Sequence, residues 1–402
     1  MKRIIVAHPA QQHSYKTAEA LADNNLLFKY ITSVYRKEDS ITNKVTFFLK
    51  GDAKKRALRR KNENIRDSDI VLLNELSGIF LLFLQRFKIL KRFYDYYWEY
   101  HNKKFNISLK KYVRDHQKEI GGIIVYDQVS ADFFSEELGI PVILDMSAPS
   151  IVFMVNNFAK FGVGINKYSD LITSCLVEIH GADLYLAASS VTKKSLEILG
   201  VESEKIILAP YGIEPVTNSE KTYANNDTPH FVFVGRVSQE KGIDVLDRYF
   251  IKYGLNDCWT FAGQYDEDSK FYKDYSDKAK FLGHVRKEKM MQIYQKSDVL
   301  IFPSLADGFG LSVIEALQSG VFVICSDSTG AKDLIIEQEN GFVFKTGDEV
   351  DLNNKIRQYL NINKGISKTS IRATIKNQTW KNYSENLRTS LRKYLETAVS
   401  DE

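Results

Sequence analysis

At about 100–200 residues per domain, a chain of 402 residues divides into two domains, each large enough to bury its own core. Its 44% hydrophobic and 26% charged residues are those of a globular protein, which excludes a disordered chain, a collagen-like repeat and a multi-span membrane protein. The formal net charge of +4 hides an asymmetry: residues 1–120 hold 25 Lys and Arg against 13 Asp and Glu, net +12, leaving −8 for residues 121–402. The first third should therefore face an anionic partner, either nucleic acid or a phosphate-rich membrane surface.

Three cysteines, Cys175, Cys258 and Cys325, stand far apart with no C-x-x-C pair, so neither a disulfide framework nor a structural zinc site is expected, and a reducing cytoplasm is. Met1 to Arg3 leads into an apolar run of only four residues, Ile4 to Ala7, too short for the core of a signal peptide.

In chain order, short apolar runs bounded by turn residues predict buried parallel strands at Ile4 to Ala7, Ile70 to Leu73, Gly122 to Tyr126, Pro141 to Leu144 and Leu184 to Ala187. After Ala209 to Gly212, the polar stretch Val216 to Pro229 reads as a linker. The rhythm restarts at Phe231 to Val234 and continues through Trp259 to Ala262, Val299 to Phe302, Val321 to Cys325 and Gly341 to Phe344, with helices at Glu288 to Gln295 and Ser312 to Gln318. Trp380, Tyr383, Leu387, Leu391 and Tyr394 recur at helical spacing and predict a closing helix. The fold class is therefore α/β, two doubly wound Rossmann-like parallel-sheet domains with ligands expected in the cleft between them. The expected division is 1–212 and 213–379, with 380–402 rejoining the first domain.

Two stretches carry chemistry. In Phe231 to Gly242 a buried strand ends at Gly235 and is followed by Arg236 and Lys241, cations suited to a diphosphate: Arg grips phosphate oxygens bidentately and Lys adds a compact charge. In Phe302 to Gly320 a strand runs through Gly308-Phe309-Gly310 into a helix opening at Leu311, whose free N–H groups favour anionic oxygens, with Asp307 and Glu315 alongside. Read alone, these stretches also fit a solvated basic loop and a capping Asp with a surface Glu.

Together with Ala182 to Ser190, Lys205 to Glu214, Phe281 to Val285 and Tyr294 to Ser304, these stretches resemble the nucleotide-sugar-dependent retaining glycosyltransferases of the GT-B fold, family 4 (glycosyl transferases group 1). The resemblance is dense over residues 182–345; over 1–180 it rests on strand order. It implies transfer of a hexose-type unit, with retention, from a nucleoside diphosphate sugar to a glycan or lipid-linked glycan, in a setting such as bacterial surface polysaccharide synthesis. It implies catalytic roles for Arg236, Lys241 and Asp307, and donor binding by Gly235, Gly308, Phe309, Gly310, Leu311 and Glu315, the last on the nucleotide ribose. Asp307 stands where the family's E-x7-E pattern has its first Glu. Many relatives carry a His after the strand written here Val142 to Ser147, where this chain has Asp145, Met146 and Ser147. Ser147 and His13, in the loop after the first strand, are the cleft or acceptor-side candidates, His13 also fitting a solvated loop residue. His180 and His284 are expected to be structural.

Asp67 to Asp69 and Asp266 to Asp268 have the D-x-D form but read as solvated acids, so no metal and no cofactor is expected. Residues 54–61 are Lys- and Arg-rich, and 79–100 place Phe80, Phe83, Phe87, Leu90, Tyr94 and Tyr97 at helical spacing among cations. This predicts a basic amphipathic helix that meets an anionic membrane surface without spanning it, giving a cytoplasmic protein attached peripherally to the inner face of the cell membrane. Its alternative is a stripe packed on the N-terminal sheet. No nucleic-acid partner is expected, since no binding module is present. A non-catalytic nucleotide-sugar or glycan-binding protein of the same fold is the alternative function; a nucleotide-sugar epimerase would need acid/base residues that are not assignable.

Overall fold

The computed structural model describes residues 2–10, 13–126, 133–214, 228–255 and 258–400. Seven strands form the first sheet: β1 (Arg3–Ala7), β2 (Leu27–Thr32), β3 (Ile70–Leu72), β4 (Ile120–Val125), β5 (Val142–Met146), β6 (Leu184–Ala187) and β7 (Ile206–Leu208). Six form the second: β8 (His230–Val234), β9 (Cys258–Ala262), β10 (Lys280–Phe281), β11 (Val299–Phe302), β12 (Phe322–Ser326) and β13 (Gly341–Phe344). The orders are β3-β2-β1-β4-β5-β6-β7 and β10-β9-β8-β11-β12-β13, and the pairings are parallel. Parallel strands flanked by helices must be apolar on both faces. Ile4, Ile5, Val6 and Ala7 in β1 and Val299, Leu300 and Ile301 in β11 are accordingly fully buried.

Each sheet reverses its winding at one place, between β1 and β4 in the first domain and between β8 and β11 in the second. The carboxyl ends of those strands are where an open α/β sheet leaves a crevice for ligand. They deliver His8 and Tyr126 on one side, and Gly235 and Pro303 on the other.

Every expected strand is present within about two residues of its expected limits. Three were not expected. β2 carries Lys29 in its middle, and β7 and β10 are short edge strands of three and two residues. Residues 216–227 of the expected linker lie outside the described residues. Beside it the chain passes between the sheets twice, side by side: the Ile213 N–H donates to the Gln378 carbonyl (3.0 Å), and Ile213 bridges Thr379. Helix Trp380–Ser400 then lies on the first domain, burying Leu387 and Leu391, with the Ser384 hydroxyl donating to the Ala20 carbonyl (3.3 Å) and Asn386 Nδ2 to the Leu208 carbonyl (2.8 Å).

The basic first third is built from α1 (Ser14–Asp23), α2 (Ile41–Phe48), α3 (Gly51–Leu58), α4 (Glu75–Leu84) and α5 (Lys91–Asp115). Residues 79–100 are thus not one helix. The chain turns after Leu84, where the Arg86 and Phe87 N–H groups donate to the Phe83 and Leu84 carbonyls (3.1 Å each), and α5 runs back along α4. The fold-back lets the aromatic stripe meet itself: Phe80 and Tyr97 pack edge to face with centroids 4.9 Å apart. It does not bury the stripe on the sheet either. Phe83, Phe87, Ile89 and Tyr96 remain exposed, and the sheet is covered instead by Phe105, Leu109 and Val113 at the far end of α5.

Candidate active site

The second domain contributes a turn that the sequence places at the end of β11. Asp307 Oδ1 accepts the Gly310 N–H (3.0 Å), holding the turn that leads into helix Leu311–Gln318. Gly310 has φ 74° and caps that helix without a side chain; the Val313 N–H turns back to the Gly310 carbonyl (2.8 Å), and no side chain caps the N–H groups of Leu311 and Ser312. Asp307 Oδ2 accepts from Lys241 Nζ at 2.5 Å, a charge-assisted contact that ties the β8–turn–helix segment to the β11 turn. Arg236, just past Gly235, is exposed and makes no ion pair with a described residue. Leu311 is exposed on the first turn of the helix, and Phe309 is buried. Glu315, one helical turn on, is half-buried. Desolvation raises its carboxyl above the usual Glu range, and the charge of Lys287 partly opposes this.

Facing this turn, the first domain contributes a buried polar network. The side chain of His13, which precedes α1, places Nε2 2.8 Å from the Tyr211 hydroxyl and 3.4 Å from Asp145 Oδ1. The Tyr211 hydroxyl donates to Asp145 Oδ1 (3.3 Å) and Thr17 Oγ1 donates to Oδ2 (3.3 Å). Tyr126 and Tyr383 complete it, their hydroxyls each 3.0 Å from Thr17 Oγ1. Burial, reinforced by the Asp145 charge, pushes both phenols well above their ordinary range, so they stay protonated. Asp145 is 3% exposed. A buried carboxylate needs partners, and here a histidine, a threonine and a tyrosine supply them.

The two sides touch. The Tyr211 and Phe309 rings pack edge to face at 5.4 Å. Gly308 lies so close to the loop after β5 that a Cβ there would stand 1.8 Å from the Ser147 carbonyl oxygen; only glycine permits this approach. Asn157 Nδ2 donates to the Leu305 carbonyl (3.0 Å), and Ser190 N–H donates to Asp333 Oδ2 (2.6 Å). At the opposite rim, α3 and the residue that caps its end reach the second domain by two ion pairs, Arg286 with Asp52 (2.6 Å) and Arg59 with Glu288 (2.7 Å).

The structure therefore brings Lys241, Asp307, Gly308, Phe309, Gly310 and Ser147 to one cleft, with His13 joined to it through Tyr211. Asp145, Tyr126, Tyr211, Thr17 and Tyr383 were missed as site residues, although a lone acid inside the apolar run Val142 to Met146 was the available signal. His180 and His284 are both exposed: His180 ends a helix and bonds the Leu176 carbonyl, and His284 lies in the bend after β10. Asp67 to Asp69 form a short turn ahead of β3, and among the described residues no group of three or more His, Cys, Asp or Glu is placed to hold a metal.

Two parallel-sheet Rossmann-like domains with the site between them define the GT-B fold. Across 98% of this chain and 100% of the other, it superposes on Anabaena Alr3699/HepE in complex with UDP-glucose, with a TM-score of 0.61 and 12% identity, a likeness of fold. Residues 217–378, most of the second domain, match the family described as glycosyl transferases group 1. The chain is 31% identical over 139 residues to the sulfoquinovosyl transferase SQD2 of Arabidopsis thaliana (33% of this chain, 27% of SQD2). It is 29% identical over 145 residues to the capsular polysaccharide biosynthesis glycosyltransferase CapM of Staphylococcus aureus (34% of this chain, 38% of CapM). These alignments span about a third of each relative's length.

Proposed function

We propose that the chain is a retaining, family 4-like glycosyltransferase that moves a sugar from a nucleoside diphosphate donor to a glycan or lipid-linked glycan, in the assembly of a bacterial surface polysaccharide. The observation that carries this is the joined turn: Lys241, Asp307 and the uncapped N–H groups of Leu311 and Ser312 are held together at the mouth of the second sheet's crevice. The group 1 match, the UDP-glucose bound by HepE and the capsular role in the name of CapM support it.

In this reading the donor diphosphate lies against Lys241, Arg236 and the helix start, and Glu315 takes the ribose. Breaking the anomeric C–O bond leaves positive charge on the sugar and added negative charge on the departing phosphate, which fixed cations and N–H dipoles stabilise without reorganising. The acceptor oxygen bonds to the same face, its proton passing to the departing phosphate oxygen. The buried His13–Asp145–Tyr211 cluster holds the wall on the acceptor side, beside Ser147.

A thermal-shift screen of UDP-, GDP- and ADP-sugars tests the donor. A ligand at 100 times its Kd stabilises the fold by about 2.7 kcal/mol, and release of nucleoside diphosphate with acceptor marks turnover. Donor binding with no turnover on any lipid-linked or soluble glycan overturns the enzyme reading in favour of a binding protein.

A further inference from the structure

Between α2 and α3, away from the donor turn, runs an open groove of about 400 Å³. Phe47, Phe48 and Leu58 form its apolar wall; Arg36, Lys44 and Lys54 supply its charge, and no carboxylate lines it. Phe47 and Phe48 are each 78% exposed and stack edge to face at 5.6 Å, leaving two phenyl rings in water. Lys44 and Lys54 pair with no described acid. The guanidinium of Arg36 stands 3.8 Å from Glu63, a carboxylate that lies nearer Lys61 at 3.3 Å, and Arg36 Nε is buried with no hydrogen-bond partner.

An apolar wall beside two unpaired lysines and an arginine that shares its one carboxylate, Glu63, with Lys61 matches one chemistry, an amphiphile with an apolar chain and an anionic head. A free phosphate would leave the rings in water, and an uncharged lipid would leave the cations and the buried Arg36 donor unanswered. The location is apt, because α3 carries Asp52 and ends at Arg59, whose ion pairs join the second domain at the cleft rim. We infer that this groove seats the lipid phosphate anchor of the acceptor, its chain on Phe47, Phe48 and Leu58 and its phosphate on Arg36, Lys44 and Lys54, so that the glycan end reaches into the cleft. The inference rests on the transferase reading with a lipid-linked acceptor.

The test is calorimetric titration of the full chain with farnesyl phosphate, with farnesol and inorganic phosphate as separate arms. Farnesyl phosphate should bind at least tenfold more tightly than either. The exposed double variants K44A/K54A and F47A/F48A should each weaken it at least tenfold, while the nucleotide-sugar thermal shift stays as in the parent. Unchanged farnesyl phosphate binding in both variants, or inorganic phosphate binding as tightly, overturns the groove assignment. Because the donor shift is measured on the same variants, loss of the groove with an intact donor response leaves the transferase reading standing, and absence of any donor response strikes that reading instead.

Discussion

Lys241 and Asp307 form the charged contact that joins the segment after β8 to the turn after β11, and each depends on the other. A half-buried ammonium without its carboxylate relaxes toward water, and a carboxylate without its ammonium still holds the Gly310 N–H but repels a diphosphate. Lys241→Met should therefore lower kcat about a hundredfold, as loss of one charge-stabilising donor does elsewhere, with an unchanged circular dichroism spectrum. Asp307→Asn should also reduce turnover, by about tenfold, since it frees Lys241 but keeps an acceptor for Gly310; steady-state kinetics with the identified donor check both. Glu315 is the second residue with a readable consequence. Its raised carboxyl pKa means that the folded state holds the proton more tightly than the unfolded chain, so stability declines as pH rises from the ordinary Glu range through the raised value. Glu315→Gln removes that decline and should melt no lower than the parent near neutral pH without ligand. If the carboxylate binds ribose, the parent's donor KM rises as pH falls through the raised value, at a higher pH than an ordinary Glu would give, and Gln abolishes this limb. A KM–pH profile with the same limb in the variant overturns the ribose role.

At the scale of elements, the cleft is set by two loops that cannot be moved apart without loss: the turn at Gly308 and the loop after β5. Gly308→Ala puts a methyl 1.8 Å from the Ser147 oxygen, so one loop must retreat by more than an ångström. Transfer should drop about a hundredfold, in keeping with the cost of misplacement on that scale, while nucleotide binding to the second domain, read by thermal shift, stays. Equal loss of both would place the damage in the domain and not in the approach. The same elements explain what was readable beforehand. Strands such as Val299–Phe302 announce themselves because a parallel strand buried on both faces must be an unbroken apolar run, and the glycine turn that follows is a local signal. The His13–Asp145–Tyr211 cluster was hidden because its members come from residues 13, 17, 126, 145, 211 and 383, brought together only by the sheet order and the returning C-terminal helix. The α4–α5 hairpin was hidden for a different reason: no Gly or Pro marks its turn, and a helical periodicity continues across it.

Across the whole molecule, the excess positive charge of the first domain is spent in two places. Part is turned inward, where Arg59 meets Glu288 across the cleft beside the reciprocal Asp52–Arg286 pair. Both pairs are exposed, and exposed pairs contribute about 0–1 kcal/mol each, so they hold the two domains together only weakly. The rest faces outward along α2 to α5, together with a concentration of apolar surface: of 22 exposed large apolar side chains among the described residues, 12 fall between Phe47 and Ile107. No helix among the described residues is long and apolar enough to cross a membrane. Aromatic rings at an interface with cations around them gain from burial in the headgroup region and from anionic lipid, the latter by about 1 kcal/mol per cation near the surface. The proposed peripheral attachment thus predicts flotation with vesicles of phosphatidylglycerol and phosphatidylcholine but much less with phosphatidylcholine alone. High salt should weaken the first, since the Debye length is about 3 Å at 1 M. The variant K54Q/K55Q/R56Q, which leaves the Arg59–Glu288 and Asp52–Arg286 pairs in place, removes three cations and should lose about two orders of magnitude in partitioning to anionic vesicles. Flotation unchanged by both salt and this variant would remove charge from the attachment, and no flotation of the parent on either vesicle would remove the attachment itself.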